Sequence, residues 1–259
     1  MSDRGVVSLG VAAAIGPELA GLLAPAVEEA GFHALWVNET PGTDALAALE
    51  AAAATTTGLI LATGIVPVDG RPAAQISEEV KARGLPEDRL VLGIGSGQTT
   101  VGALRLVRDA ASHLRRTVSA RIVIGALGPK MRRLAADESD GVVLNWLTPD
   151  LAREQTDEAH AASGQAHVAL YVRTALEAAA VPRLHAETTR YAGIASYAAN
   201  FARAGIRAEE TVLDAIAEPV GEPLERYRSS VDEVVLRAIT PHDALEDYVR
   251  FIEQARALL

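Results

Sequence analysis

Residues 121–146 read RIVIGALGPKMRRLAADESDGVVLNW, and this stretch decides the fold class. Arg121 to Ile124 is a short apolar, β-branched run of the kind buried on both faces of a parallel sheet. Gly125, Ala126, Leu127, Gly128, Pro129 and Lys130 follow it. The two glycines permit a sharp turn and close approach of a ligand, and Pro129 suits the first position of a helix. Met131 and Leu134 give that helix an apolar edge, Asp140-Gly141 stops it, and Val142 to Leu144 make the next strand, ending in Asn145 and Trp146. The segment is therefore one βαβ unit. Its first junction suits a phosphate, because free N–H groups, the helix dipole and Lys130 converge there. A tight βα turn with no ligand suits the same residues equally well.

Working outward, the same alternation recurs along the chain. Strands are expected at Val6–Val11, Ala34–Val37, Leu59–Thr63 and Arg89–Ile94 before the unit, and at Ala166–Val172 and Asp232–Ile239 after it. Helices are expected at Pro17–Ala30, kinked at Pro25, and at Asp44–Thr56, Ala73–Arg83, Val101–Thr117 and Thr148–Ser163. Residues 173–232 form the longest excursion, with helices expected at Leu184–Ala204 and Ala208–Ala217. Thr240-Pro241-His242-Asp243 reads as an N-cap, a proline at N1 and an acid at N3 of a closing helix.

Eight strands alternating with helices over 259 residues favour one closed (β/α)8 TIM barrel spanning 1–259, with a helical excursion between its seventh and eighth strands. The polar and glycine-rich positions support closure over an open sheet. Asn38-Glu39, Gly64-Ile65, Gly95-Ser96-Gly97, Gly125 to Lys130 and Asn145-Trp146 all fall at carboxyl ends of strands, which a barrel gathers at one mouth.

Composition narrows the chemistry. A net charge of −10 and a pI near 5.1 argue against a nucleic-acid partner. The absence of cysteine excludes disulfides and thiolate chemistry. The histidines show no metal-ligand spacing, so no metal site is expected. No apolar run nears the ~20 residues of a membrane span, and Gly10, Gly16, Pro17, Glu18 and Pro25 interrupt the Ala-rich start, so a cytoplasmic protein is expected. GIGSG, residues 93–97, is neither a dinucleotide fingerprint nor a P-loop; it offers a side-chain-free floor beside a flat ligand, or a plain turn. Lys81 and Lys130 are the only lysines, so Lys130 after Gly-Pro stands out as an anion contact.

Taken in order, GFHALWVNE, ATGIVPVDGRPA, RLVLGIGSG, GALGPKMRRLAADESDGVVLNWLTP and DEVVLRAIT resemble the luciferase-like monooxygenase superfamily, and within it the F420-dependent branch related to methylenetetrahydromethanopterin reductase. The resemblance implies a barrel that binds coenzyme F420, or alternatively FMN, at its mouth. It implies a hydride-transferring oxidoreductase acting on a small organic substrate; a monooxygenase and a non-catalytic family member stand as alternatives. Gly64-Ile65 would match a bulge, often a non-prolyl cis peptide, behind the ring. Gly95, Ser96 and Gly97 would line the ring, and Gly125 to Lys130 would hold the ribityl-phosphate side. Asn38, Asn145 and Trp146 would complete the cofactor contacts. Relatives often read Asn-Asp-His where this chain has Asn38-Glu39-Thr40, so a histidine near the ring is missing. Glu39 becomes the candidate for proton handling, with a capping or salt-bridged acid as its other reading. The family also implies a homodimer, and the small side chains of Asp44–Thr56 suit close helix packing.

Overall fold

The computed structural model describes residues 4–259. Beginning at the amino end, β1 (Val6–Ala12), α1 (Gly16–Glu29), β2 (Ala34–Asn38), α2 (Ala45–Ala53) and β3 (Ile60–Thr63) follow in turn. The two-residue β4 (Val66–Pro67), α3 (Ala73–Ala82), β5 (Leu90–Gly95), α4 (Ala103–Thr117) and β6 (Arg121–Gly125) come next. Then come α5 (Pro129–Glu138), β7 (Gly141–Asn145), α6 (Pro149–Ala162) and β8 (His167–Ala175). The excursion holds α7 (Val181–Ala192), α8 (Ala195–Ala204), the short β9 (Leu213–Asp214) and α9 (Gly221–Arg228), before β10 (Glu233–Ala238) and α10 (Leu245–Arg256).

All pairings are parallel, and β10 bonds both β8 and β1, so β1, β2, β3, β5, β6, β7, β8 and β10 close into an eight-stranded barrel. Side chains on a strand alternate between two faces. The inward set forms its own core of Ala34, Trp36, Ala62, Val91, Val123, Val143, Ala169, Tyr171 and Val235. Trp36 and Tyr171 meet edge to face with centroids 5.8 Å apart. Small neighbours make room for them: a Cβ on Gly10 would lie 2.9 Å from Val235 and 3.2 Å from Tyr171. The outward aliphatic set packs against the helices as a second, larger core.

Several local expectations are corrected. The helix expected over 184–204 is two helices that break at Gly193-Ile194, where Ile194 is extended. The segment 208–217 is not a helix. A 3-10 turn at Ala208–Thr211 leads into β9, which pairs with Thr174 and Ala175, and the Asp214 carboxylate then accepts from Ile216 N–H at 2.9 Å. That side chain offers the backbone a turn in place of a helical bond. α9 was not foreseen. The closing helix begins at Leu245 rather than at Pro241, because Asp243 takes φ +57° and the Thr240–Asp243 turn satisfies itself.

Candidate active site at the carboxyl mouth of the barrel

The strand period that buries Tyr171 and Val235 also turns Arg173 and Arg237, two residues further along, into the mouth. Both are buried, 5% and 9% exposed. Arg237 Nε donates to Asn38 Oδ1 at 3.2 Å, and a terminal nitrogen donates to the Ala238 carbonyl. Arg173 donates to Asn145 Oδ1 and pairs with Glu187 of α7 at 3.1 Å. Its guanidinium also lies 4.0 Å from the ring centroid of Trp146, a cation–π contact. Burial works against the Glu187 carboxylate, yet Arg237 and Arg173 together hold its pKa below the ordinary range. Beneath this ring the Tyr171 hydroxyl is buried and has no hydrogen-bond partner among the described residues. Burial raises its pKa, so it stays protonated.

Gly64 and Ile65 are half-exposed at the rim and joined by a cis peptide. A Cβ on Gly64 would fall 2.0 Å from the Tyr171 hydroxyl, so only glycine fits above that tyrosine. The Ile65 side chain lies against Gly95 at 2.7 Å and Gly125 at 3.0 Å from where their Cβ atoms would be. The expected bare floor at Gly95, Ser96 and Gly97 is therefore corrected. Ile65 occupies the space beside Gly95. Gly97, at φ +60°, makes room for the Asp69 carboxylate, which also accepts from Gln98 N–H at 2.7 Å. Ser96 is half-buried and closes a turn to Thr99.

Glu39 is capped and paired rather than free. Its Oε2 accepts from Ala45 N–H, the first residue of α2, at 3.0 Å and lies 3.2 Å from Arg71 Nη1. Burial raises its pKa, with the Ala45 bond and Arg71 pulling the other way. Trp146, at φ +57° and fully buried, packs with Phe201 and Ala208 of the excursion and against Tyr191 at 5.0 Å, instead of facing an open mouth. Asn38 and Asn145 remain half-exposed between the two arginines and the rim.

The turn from Gly125 to Lys130 lies on the same side. Gly128 is the N-cap of α5 with φ −99°, so its backbone does not require glycine, and nothing lies within 4 Å of a Cβ placed there. Ala126 N–H is used by Val143, whereas the N–H groups of Leu127 and Gly128 have no acceptor among the described residues. The Leu127 carbonyl draws in Arg203 at 3.1 Å and Arg132 at 3.3 Å; with exposed Lys130, three cations surround the turn. This is an anion-ready geometry.

Sequence reasoning missed Arg173, Glu187 and Tyr171. The signal for the first and last is present: a polar side chain two residues beyond an inward aromatic, at a strand's carboxyl end. Glu187 carries no such signal, since only the fold of α7 over the mouth brings it to Arg173. A cavity of about 630 Å³ opens at the opposite, amino-terminal end of the barrel. Its arginines are largely committed, Arg4 and Arg228 to Glu225 and Arg153 to the Ser229 carbonyl. The Thr156 hydroxyl at that cavity is buried without a partner among the described residues, as are the Tyr171 hydroxyl and Trp146 Nε1 at the carboxyl mouth, the end where barrels carry their chemistry.

Closed parallel pairing with helices between the strands defines a (β/α)8 barrel, with a polar ring at its carboxyl mouth. Residues 10–120 match the family model described as luciferase-like monooxygenase. A search of curated proteins finds no match. Among solved structures, an F420-dependent secondary alcohol dehydrogenase in complex with an F420–acetone adduct is 15% identical, with 99% of each chain covered and a TM-score of 0.75. The F420-dependent tetrahydromethanopterin reductase of Methanopyrus kandleri is 14% identical, with 97% of this chain and 99% of that one covered and a TM-score of 0.71. The oxygenating constituent of 3,6-diketocamphane monooxygenase from Pseudomonas putida, in complex with FMN, is 13% identical over 96% of both chains, with a TM-score of 0.65. At these identities the likeness is one of fold.

Proposed function

We propose that this chain is an F420-dependent oxidoreductase that moves a hydride between the deazaflavin and a small organic substrate. The observation that carries the proposal is the mouth itself: Asn38, Asn145, Arg173 and Arg237 form a cationic, hydrogen-bonding ring under the half-exposed Gly64-Ile65 rim. In a chain of net charge −10, such a ring fits the polar edge of a flat cofactor with a substrate beside it. The unpartnered Tyr171 hydroxyl and the free N–H groups of Leu127 and Gly128 are further contacts that a bound group would satisfy. When bound, the cofactor supplies the hydride chemistry, and the protein orients it, excludes water and manages a proton. FMN in a monooxygenase is the second reading, supported by the FMN-bound relative of the same fold.

In this reading Gly125 to Lys130 receive the phosphate, while Glu39 serves the rim as a cap and ion-pair partner. Thr240, at the end of the last barrel strand, suits the cofactor's phosphate less well. Thr240 is 1% exposed, its hydroxyl is engaged with Asp243, and its carbonyl accepts from Arg183. The absorbance of protein purified from an F420-producing host tests the cofactor: a deazaflavin band supports the proposal, a flavin band the second reading, and neither band a non-catalytic member. Titrating cofactor into variants tests the turn. Lys130→Ala should weaken binding on the order of 10- to 100-fold, the worth of one charge-assisted hydrogen bond. Gly128→Val should do the same by blocking approach while leaving the melting temperature unchanged, since no atom lies within 4 Å of the new Cβ. Unchanged affinity in both variants moves the phosphate elsewhere.

A further inference from the structure

Arg237 is a buried cation without a carboxylate of its own. No Asp or Glu lies within ion-pair distance of its guanidinium among the described residues. Its two acceptors, Asn38 Oδ1 and the Ala238 carbonyl, are neutral. The neighbouring acids are already engaged. Glu187 is bonded to Arg173 at 3.1 Å, so one carboxylate serves two guanidiniums. Asp243 is held by Arg183 and by the Tyr248 hydroxyl at 2.8 Å. Glu233, on the same strand, is turned to the far end of the barrel, where Trp36 and His167 hold it. Taking a guanidinium out of water without a counter-ion is costly, and a fold keeps one where an anion completes it. The planar fork of arginine matches the two oxygens of a carboxylate or phosphate.

We propose that the barrel mouth selects a substrate bearing an oxyanion group, a carboxylate or a phosphate monoester, and that Arg237 seats it with Asn38 alongside. This deepens the proposed function, on which it rests for the word substrate. Arg173 stays with Glu187 and Trp146, and the Tyr171 hydroxyl is the remaining free donor below. Arg237 is in this sense a specificity-determining residue: a neutral analogue of the same shape would leave its charge unpaired.

The test uses the full chain without cofactor. Pyruvate, methyl phosphate and the neutral pyruvamide are titrated by calorimetry, and melting temperature is followed in parallel. Pyruvate or methyl phosphate should bind and raise the melting temperature, the stronger of the two naming the oxyanion, while pyruvamide should not. Arg237→Met should weaken anion binding at least 10-fold and melt no lower than the wild type, because it removes an uncompensated buried charge and leaves Glu187 on Arg173. Arg237→Lys keeps a cation but loses the fork, and should also bind less tightly. Exposed Arg105, which has no partner among the described residues, is the control for general charge, and Arg105→Gln should bind as the wild type does. The proposal is overturned if no anion binds, if Arg237→Met keeps the affinity, if Arg105→Gln loses as much, or if Arg237→Met melts well below the wild type. Saturation with F420 or FMN should leave anion binding intact; its loss assigns Arg237 to the cofactor and also overturns the proposal. A protein that carries no cofactor band yet binds the anion through Arg237 overturns the oxidoreductase reading alone.

Discussion

A single carboxylate anchors the end of the barrel opposite the candidate site. Glu233 is 3% exposed and accepts from the Ser8 hydroxyl, from Trp36 Nε1 at 2.6 Å and from His167 Nε2 at 2.8 Å. Burial acts to raise its pKa, but the His167 bond, followed by Ser8 and Trp36, outweighs it and holds the value below 4.5. A carboxylate depressed in the folded state lends stability that is complete above its unfolded pKa and lost as pH falls through the folded one. The acid limb of a stability–pH curve should therefore fall from about pH 4.5 downward. Glu233→Gln should flatten that limb and cost about 2 kcal/mol at neutral pH, since Trp36 and Ser8 keep weaker partners. Urea melts across pH check both effects. An unchanged acid limb would show that the protons are taken up elsewhere.

At the scale of elements, the small residues of α2 find their use within the chain. Gly21 of α1 packs on Ala51, with a Cβ there only 3.2 Å from the Ala51 carbonyl and 3.3 Å from its methyl. Ala45, Leu46, Ala48, Leu49 and Ala52 of α2 are buried. Gly21→Leu should wedge the two helices apart and cost about 1–3 kcal/mol, read as a lower denaturation midpoint with the m-value unchanged. The excursion obeys a similar logic at the other end. α7 and α8 roof the mouth, with Tyr191 and Tyr197 meeting edge to face 4.9 Å apart and Phe201 against Trp146 at 6.0 Å. That roof turns Trp146 from a rim residue into a core one, and it delivers Glu187 to the arginines.

For the whole molecule, we propose a homodimer formed through the outward surfaces of α1 and α2. Leu22 on α1 is 58% exposed, and Ala47 and Ala51 of α2 are half-exposed beside it. An apolar side chain left in water this way gains by burial against a second copy. Light scattering at micromolar concentration should give twice the chain mass of 27.1 kDa, and Leu22→Glu should shift it toward monomer. A monomeric wild type ends the proposal. Among the described residues no helix is long and apolar enough to cross a membrane.

The sequence alone determined the barrel, because hydrophobic period and glycine or proline punctuation are local properties. All eight strands lie within a few residues of where the alternation puts them, and Gly128, Pro129 and Thr148 sit at the helix starts their chemistry favours. It also gathered Asn38, Gly64-Ile65, Gly125 and Asn145 at one mouth, since a parallel barrel brings the carboxyl ends of its strands together. What it could not determine was which atoms fill the space between them. Gly95 and Gly97 are bare in sequence, yet Ile65 and Asp69 occupy the room they leave. Glu39 is spent on Ala45 and Arg71, and Glu187 reaches Arg173 from fourteen residues away. Those contacts join separate strands, loops and helices, so only the closed tertiary structure decides which charges meet a partner and leaves Arg237 with no carboxylate at ion-pair distance among the described residues.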